Sequence, residues 1–289
     1  MELKVSFQRT AWLIAILFLV SCGSNSNQKS NWAVELVADG FKFIEGPLWY
    51  GDRLLFSDIP AGKIYAFSED SGVSVFIESS GNSNGLILDL EGNLILAQHG
   101  LRQVARMTED SMATLVSYFR SKRLNSPNDM AISQKGTIYF TDPSYGINED
   151  EEELGFYGVY QLIADGRLNL IDSSLQTPNG IVLSNEDSVL YVADTDSRII
   201  FSWNLNDANF QSKKIFARIP SNTHLDGMTK DQLGKLYVTG TYGVHIFNPK
   251  GILLDSIAID GHTTNCTWNA DESALYVTSG PALYRAVRE

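Results

Sequence analysis

Glu45, Asn84, Asn128, Asn179, Asp226 and Asn265 each stand nine to eleven residues ahead of a similar apolar triplet, so they recur in phase along the chain. Two are carboxylates and four are carboxamides; the set holds no Lys, Arg, Ser or aromatic residue. Oxygen donors of this kind, without His or Cys, suit a hard cation of flexible coordination. Ca²⁺, with about 6 to 8 oxygen ligands including waters, fits first, and Mg²⁺, Mn²⁺ or Zn²⁺ are the alternatives. The simpler reading is one turn or cap residue per repeat, because Asn and Asp are depleted in strands and common in turns. Agreement in phase at all six positions favours a common site.

The triplets themselves say what must position these residues. Leu54-Leu55-Phe56, Leu94-Ile95-Leu96, Ile138-Tyr139-Phe140, Leu190-Tyr191-Val192, Leu236-Tyr237-Val238 and Leu275-Tyr276-Val277 begin 39 to 52 residues apart. Four-stranded propeller blades repeat every 40 to 45 residues or so. Turn signals such as Glu91-Gly92-Asn93 and Leu233-Gly234-Lys235, with the aromatic and β-branched content, point to strands. The expected architecture is all-β: a six-bladed β-propeller over residues 32–289 with a central divalent-cation site. Trp32 to Ala38 is expected to pair with the last blade and close the ring.

In such a blade the in-phase residue opens the innermost strand at one mouth of the channel, and the triplet strand returns toward it. His99, Asp142 to Gly146, Asp194, Thr241 and Tyr242 are therefore expected near the mouth. His99 has a side chain suited to proton transfer near neutral pH. Tyr145 could hydrogen-bond a ligand hydroxyl, and Asn84 and Asn265 could hold water or ligand hydroxyls. The acidic run Asn148 to Glu153 sits in the longest spacing, either as a lid on the ligand face or as solvated surface. No spacing recommends His224, His245 or His262, and Cys266 reads as a buried, inert thiol.

Charge and composition exclude other classes. With 34 acidic against 22 basic side chains, a net charge of -12 and no Lys/Arg cluster, binding to a nucleic-acid backbone is not expected. Two cysteines cannot build a disulfide scaffold. Ahead of the propeller, Lys4 and Arg9 precede an apolar run from Ala11 to Val20, shorter than the roughly 20 residues that span a bilayer. The run ends in Leu19-Val20-Ser21-Cys22, which resembles a bacterial lipobox. That resemblance implies a signal peptide over 1–21, lipidation of Cys22, a flexible tether over 22–31 and membrane association through the lipid. Gly23 after the cysteine favours the outer membrane, so the expected placement is the cell envelope. An ordinary cleavable signal or a short anchor is the alternative.

The motifs also carry a family resemblance. Phe43-Ile44-Glu45-Gly46-Pro47-Leu48-Trp49, Asn125-Ser126-Pro127-Asn128-Asp129, Phe140-Thr141-Asp142-Pro143-Ser144-Tyr145-Gly146, Pro178-Asn179-Gly180 and Asp226-Gly227-Met228 resemble the gluconolactonase/senescence marker protein (regucalcin)/luciferin-regenerating enzyme family. Their order, with Leu190-Tyr191-Val192-Ala193-Asp194 and Leu283-Tyr284-Arg285, is that of bacterial gluconolactonase-like members. The resemblance implies that Glu45, Asn179 and Asp226 ligate a catalytic divalent cation and that Asn128 completes the site as ligand or substrate contact. It further implies hydrolysis of a sugar lactone to the aldonic acid, with Asp226 as general base and acid; His99 is an alternative proton shuttle. Animal members carry a substrate-contacting Arg where this chain has Ser126, which bears on sugar specificity. A phosphotriesterase-like hydrolase on the same site, as in diisopropyl fluorophosphatase, and a noncatalytic sugar-binding propeller are the other readings.

Overall fold

The computed structural model describes residues 31–108, 111–219 and 223–289. The expected signal segment, the expected lipidation at Cys22 and the expected tether up to residue 31 fall on residues 1–30, outside the described residues, apart from Asn31.

The strands follow in chain order. β1 (Trp32–Ala38) is followed by β2 (Ile44–Tyr50), β3 (Arg53–Asp58), β4 (Lys63–Ser68) and β5 (Gly72–Ile77), which form one sheet. β6 (Ser83–Leu88), β7 (Leu94–Gln98), β8 (Gln103–Met107) and β9 (Met112–Val116) form the next. A two-stranded ribbon, β10 (Tyr118–Phe119) and β11 (Lys122–Arg123), leads into β12 (Met130–Ile132), β13 (Ile138–Asp142), β14 (Gly158–Leu162) and β15 (Leu168–Asp172). The sheet after that holds β16 (Pro178–Leu183), β17 (Val189–Asp194), β18 (Ile199–Asn204) and β19 (Lys214–Arg218). The remaining strands, β20 (Leu225–Lys230), β21 (Leu236–Phe247), β22 (Leu253–Trp268), β23 (Ala274–Ser279) and β24 (Ala282–Arg288), share a single sheet with β1. All pairings are antiparallel meanders, and the fold is an all-β propeller.

The six separate blades expected from the repeats are replaced by five sheets, four of four strands and one of six, beside the small ribbon. The reason lies in β22, which stays extended for 16 residues. Up to His262 it pairs with β21, and from Thr263 it pairs with β23. Gly261, at φ 93°, lets the strand bend there without ending.

Each triplet occupies the second strand of its meander, and its residues, the half-buried Tyr191 excepted, are buried on both faces because every sheet packs between two neighbours. The apolar core is accordingly divided among the described residues into six clusters, each joining one meander to the next. Phe140, for example, stacks on Tyr160 at 5.1 Å and packs against Ile95 and Val104 of the preceding sheet. Closure follows the expected route: β1 pairs with β24, and the Glu289 N–H donates to the Asn31 carbonyl.

Two devices hold the inner strands in place. Asp58, Asp142 and Asp194, at the ends of β3, β13 and β17, accept backbone N–H groups of Lys42 and Phe43, of Asn125, and of Gln176 and Thr177, fixing the segments that enter β2 and β16 and precede β12. Hydroxyls reach from one meander to the next: Ser57 donates to the Asn84 carbonyl at 2.7 Å, Thr141 to the Asn179 carbonyl at 2.8 Å, and Thr264 to the Ile44 carbonyl at 2.8 Å.

Candidate functional site

Five of the six in-phase residues sit where the inner strands lose their register; Asn128 lies just ahead of β12, whose pairing is regular. Bulges lie between Glu45 and Leu48, Ser83 and Leu86, Pro178 and Ile181, Leu225 and Met228, and Thr263 and Asn265. A bulge re-aims a side chain that regular alternation would send into a sheet interface. The residue that follows is Gly in four cases because the next meander crowds it. A Cβ on Gly46, Gly85 or Gly180 would run into the carbonyl oxygen of Asn84, Asn128 or Asp226, and one on Gly227 into the Asn265 amide.

All six in-phase side chains are buried. Glu45, Asn84, Asn128, Asn179 and Asp226 line the bottom of a cavity of about 680 Å³. Asn265 belongs to the other side of this floor: with Asp129 it lines a second space of about 240 Å³ in the channel below. Its Oδ1 accepts the Cys266 N–H at 2.8 Å, and its amide nitrogen lies 3.5 Å from Asp129 Oδ2. Asp129 is a third buried carboxylate next to the ring, raised by burial to a pKa of about 6.

The electrostatics are those of concentrated, poorly solvated negative charge. Burial, and then the charges of Asp226 and Asp129, push Glu45 well above the ordinary carboxylate value. Burial likewise raises Asp226, which lies within hydrogen-bonding reach of both Glu45 and Asn179. The buried Oδ1 atoms of Asn84 and Asn179 have no partner. Buried acceptors rarely stay unpaired, and two touching carboxylates need either a shared proton or a cation. The donor set therefore fits a hard divalent cation held by Glu45, Asn128, Asn179 and Asp226.

Around this floor the walls differ in character. Phe43, Ile59 and Pro60 make an apolar side, while Tyr145, Tyr157, Thr177, Thr195 and Asp196 make a polar one. Tyr145 is half exposed, its hydroxyl 3.3 Å from Thr195 Oγ1, and burial raises its phenol to about 12. His99 lines the cavity but is 8% exposed, its Nδ1 is unpartnered, and burial lowers its pKa to about 4. Gly146 packs against its ring. Asp142 and Asp194, expected at the mouth, are buried struts. Ser126 is fully buried and does not line the cavity: its hydroxyl donates to the Pro143 carbonyl at 2.6 Å and accepts the Gly146 N–H at 3.1 Å.

No residue of the acidic run lines the cavity. Glu149–Glu151 forms one 3-10 turn with Asn148 bonded to Glu151, and Glu153 accepts the Arg123 N–H from the β10–β11 ribbon. The loop meets the cavity through its roots, Ser144, Tyr145 and Tyr157; Ser144 and Tyr157 bond to each other at 2.8 Å. Cys266 is buried, and burial drives its thiol pKa upward, in keeping with an inert group.

His262 is the residue that spacing missed. Its Nε2 lies 3.3 Å from Asp226 Oδ2, and with His224 it lines the cavity. The bend of β22 at Gly261 turns this residue inward, and no pattern in the residues around it announces the contact.

Known proteins of similar fold and related sequence carry related names. The chain is 31% identical over 285 residues to a gluconolactonase of Zymomonas mobilis, covering 87% of this chain and 80% of that one. A solved gluconolactonase of Xanthomonas campestris superposes with a TM-score of 0.84 at 30% identity, covering 89% and 90%. Diisopropyl-fluorophosphatase of Loligo vulgaris is 27% identical over 146 residues, 45% of this chain and 46% of that one. Residues 43–281 match the family described as the SMP-30/Gluconolactonase/LRE-like region. On that match and the 31% identity, the chain belongs to the SMP-30/gluconolactonase/LRE-like family.

Proposed function

We propose that this protein is a divalent-cation-dependent lactonase that opens a sugar lactone to its aldonic acid. The observation that carries the reading is the floor of the large cavity, where buried Glu45 and Asp226 converge with unpartnered amide oxygens. The gluconolactonase relatives support the substrate class. Glu45, Asn128, Asn179 and Asp226 would hold the cation, with Ca²⁺ the best match to an all-oxygen set. When bound, such an ion supplies Lewis-acid polarisation of the lactone carbonyl.

The chain's own groups account for the proton. Asp226 takes a proton from the attacking water as oxygen adds to the carbonyl carbon, and returns it to the ring oxygen as the acyl C–O bond breaks. A carboxylate that also binds a cation is a weak base, and His262, 3.3 Å from Oδ2, orients it and offers a second proton acceptor at the mouth. His99 is assigned the orienting of substrate, because a buried imidazole with a pKa of about 4 stays neutral at neutral pH. Tyr145 is placed to meet a sugar hydroxyl, and Asn84 a hydroxyl or water.

Two coarser matters belong to the same proposal. The six-stranded sheet acts as two blades of a six-fold ring; the switch of partners along β22 and the six core clusters favour this count. The resemblance of Leu19-Val20-Ser21-Cys22 to a lipobox supports a lipid-anchored position on the cell envelope.

Hydrolysis of a panel of aldonolactones, read by proton release with and without chelator and added Ca²⁺, Mg²⁺, Mn²⁺ or Zn²⁺, tests the reading. Cation-restored turnover is expected, and Glu45→Gln and Asp226→Ala should each lower it by about a hundredfold or more. Both variants retaining over about a tenth of the rate at saturating cation would remove these residues from the mechanism. An organophosphate in the same panel addresses the second reading, which the similarity to diisopropyl-fluorophosphatase favours. Ligand binding without turnover would point to the noncatalytic one.

A further inference from the structure

The geometry points to Thr195 as a positioning residue that sets which end of the Asn179 amide faces the cation. The inference rests on the cation reading above, and it begins from the hydrogen inventory of one hydroxyl. Thr195 Oγ1 lies 2.7 Å from the Leu225 carbonyl oxygen, which can only accept, so the hydroxyl's single hydrogen is committed there. Toward its other neighbours Oγ1 can then only accept. The Asn179 side chain reaches it at 3.2 Å and must present its nitrogen, and the Tyr145 hydroxyl donates at 3.3 Å.

With nitrogen fixed on Thr195, the Asn179 oxygen is turned the other way, where it is buried and unpartnered. An amide free to flip would spend part of its time presenting NH₂ to a cation, which repels it. The same hydroxyl ties down the carbonyl of Leu225, the peptide that leads directly into Asp226. Thr195 is itself well held: it follows the buried Asp194 clamp at the end of β17, and its N–H donates to the Thr177 carbonyl at 3.0 Å. One side chain thus braces two of the four cation-holding residues from outside.

The test compares Thr195→Val, which keeps the shape and loses the hydroxyl, with Thr195→Ser, which keeps the hydroxyl. Ca²⁺ affinity by titration calorimetry should fall about 10- to 100-fold in Thr195→Val and stay near wild type in Thr195→Ser. Equal affinity in wild type and Thr195→Val would overturn the inference and leave the cation reading standing. A wild-type protein that takes up none of Ca²⁺, Mg²⁺, Mn²⁺ or Zn²⁺ would overturn both. Should Thr195→Val not fold, a crystal of the wild-type protein with Ca²⁺ decides. Asn179 Oδ1 is expected at about 2.3–2.6 Å from the ion with the amide nitrogen on Thr195, and an ion seated without that oxygen would sink the proposal.

Discussion

His99 illustrates how burial changes what a residue type can do. A histidine at the cavity wall suggests proton transfer, yet desolvation holds this imidazole neutral down to a pKa of about 4, against 6.5 when unfolded. The sign follows from which state binds the proton. Between these two values the unfolded chain takes up a proton that the folded protein refuses. The stability tied to His99 is therefore complete above 6.5 and drains as pH falls toward 4, by about 1.4 kcal/mol per pH unit. Urea unfolding at about pH 7 and pH 5 should show a smaller acid loss in His99→Gln than in wild type. Equal losses in the two proteins would mean that His99 is not held neutral by the fold. Neither should the activity profile between about pH 6 and 8 change on this substitution, since the group does not titrate there.

At the scale of the strand, a small event recurs at Glu45, Asn84, Asn179 and Asp226: the register slips at an oxygen-bearing residue, and the glycine that follows lets the neighbouring strand pass. Gly180 shows the constraint most directly, since a Cβ there would meet the carbonyl oxygen of Asp226 and the Cα of Gly227. Both are backbone atoms that cannot swing aside. Gly180→Ala is expected to destabilise the protein by about 1–3 kcal/mol through overpacking. Displacement of Asp226 should also weaken cation binding. Denaturant unfolding and cation titration on the same variant check the two effects together; a stable variant with unchanged cation affinity would show that the strands separate without disturbing the ring.

For the molecule as a whole, the charge excess and the cavity agree. The chain carries a net charge of -12, and among the described residues the cavity is lined by Glu45, Asp196 and Asp226 with no Lys or Arg. A single divalent ion would compensate the two floor carboxylates and leave little positive potential for an anionic substituent. Lactones bearing a phosphate or a carboxylate should therefore react at least about tenfold more slowly, in kcat/KM, than their uncharged counterparts, with the gap narrowing as salt screens the field. Comparable rates at low ionic strength would require a cationic contact beyond the described residues. Strand-by-strand closure by β1 and β24 gives this cavity its rigidity, because the ring is completed by pairing the two ends of the propeller.

Much of this was legible in the linear chain, for a reason that is local. A strand's burial pattern and turn chemistry are written within a few residues, so six triplets and their turns indicate a propeller. The phase of Glu45, Asn84, Asn128, Asn179 and Asp226 indicates a common channel, and the family motifs suggest its chemistry. What remained for the tertiary structure depends on how distant strands bend and meet. Continuous pairing through Gly261 merged two repeats into one sheet and brought His262 to Asp226. The same convergence put Asn265 below the ring and buried His99 in the cavity wall. Thr195 became the brace of Asn179 only because Leu225, from another strand, claims its hydrogen. A residue's type and phase state which atoms it can offer; the neighbours gathered by ring closure decide which of them remain free.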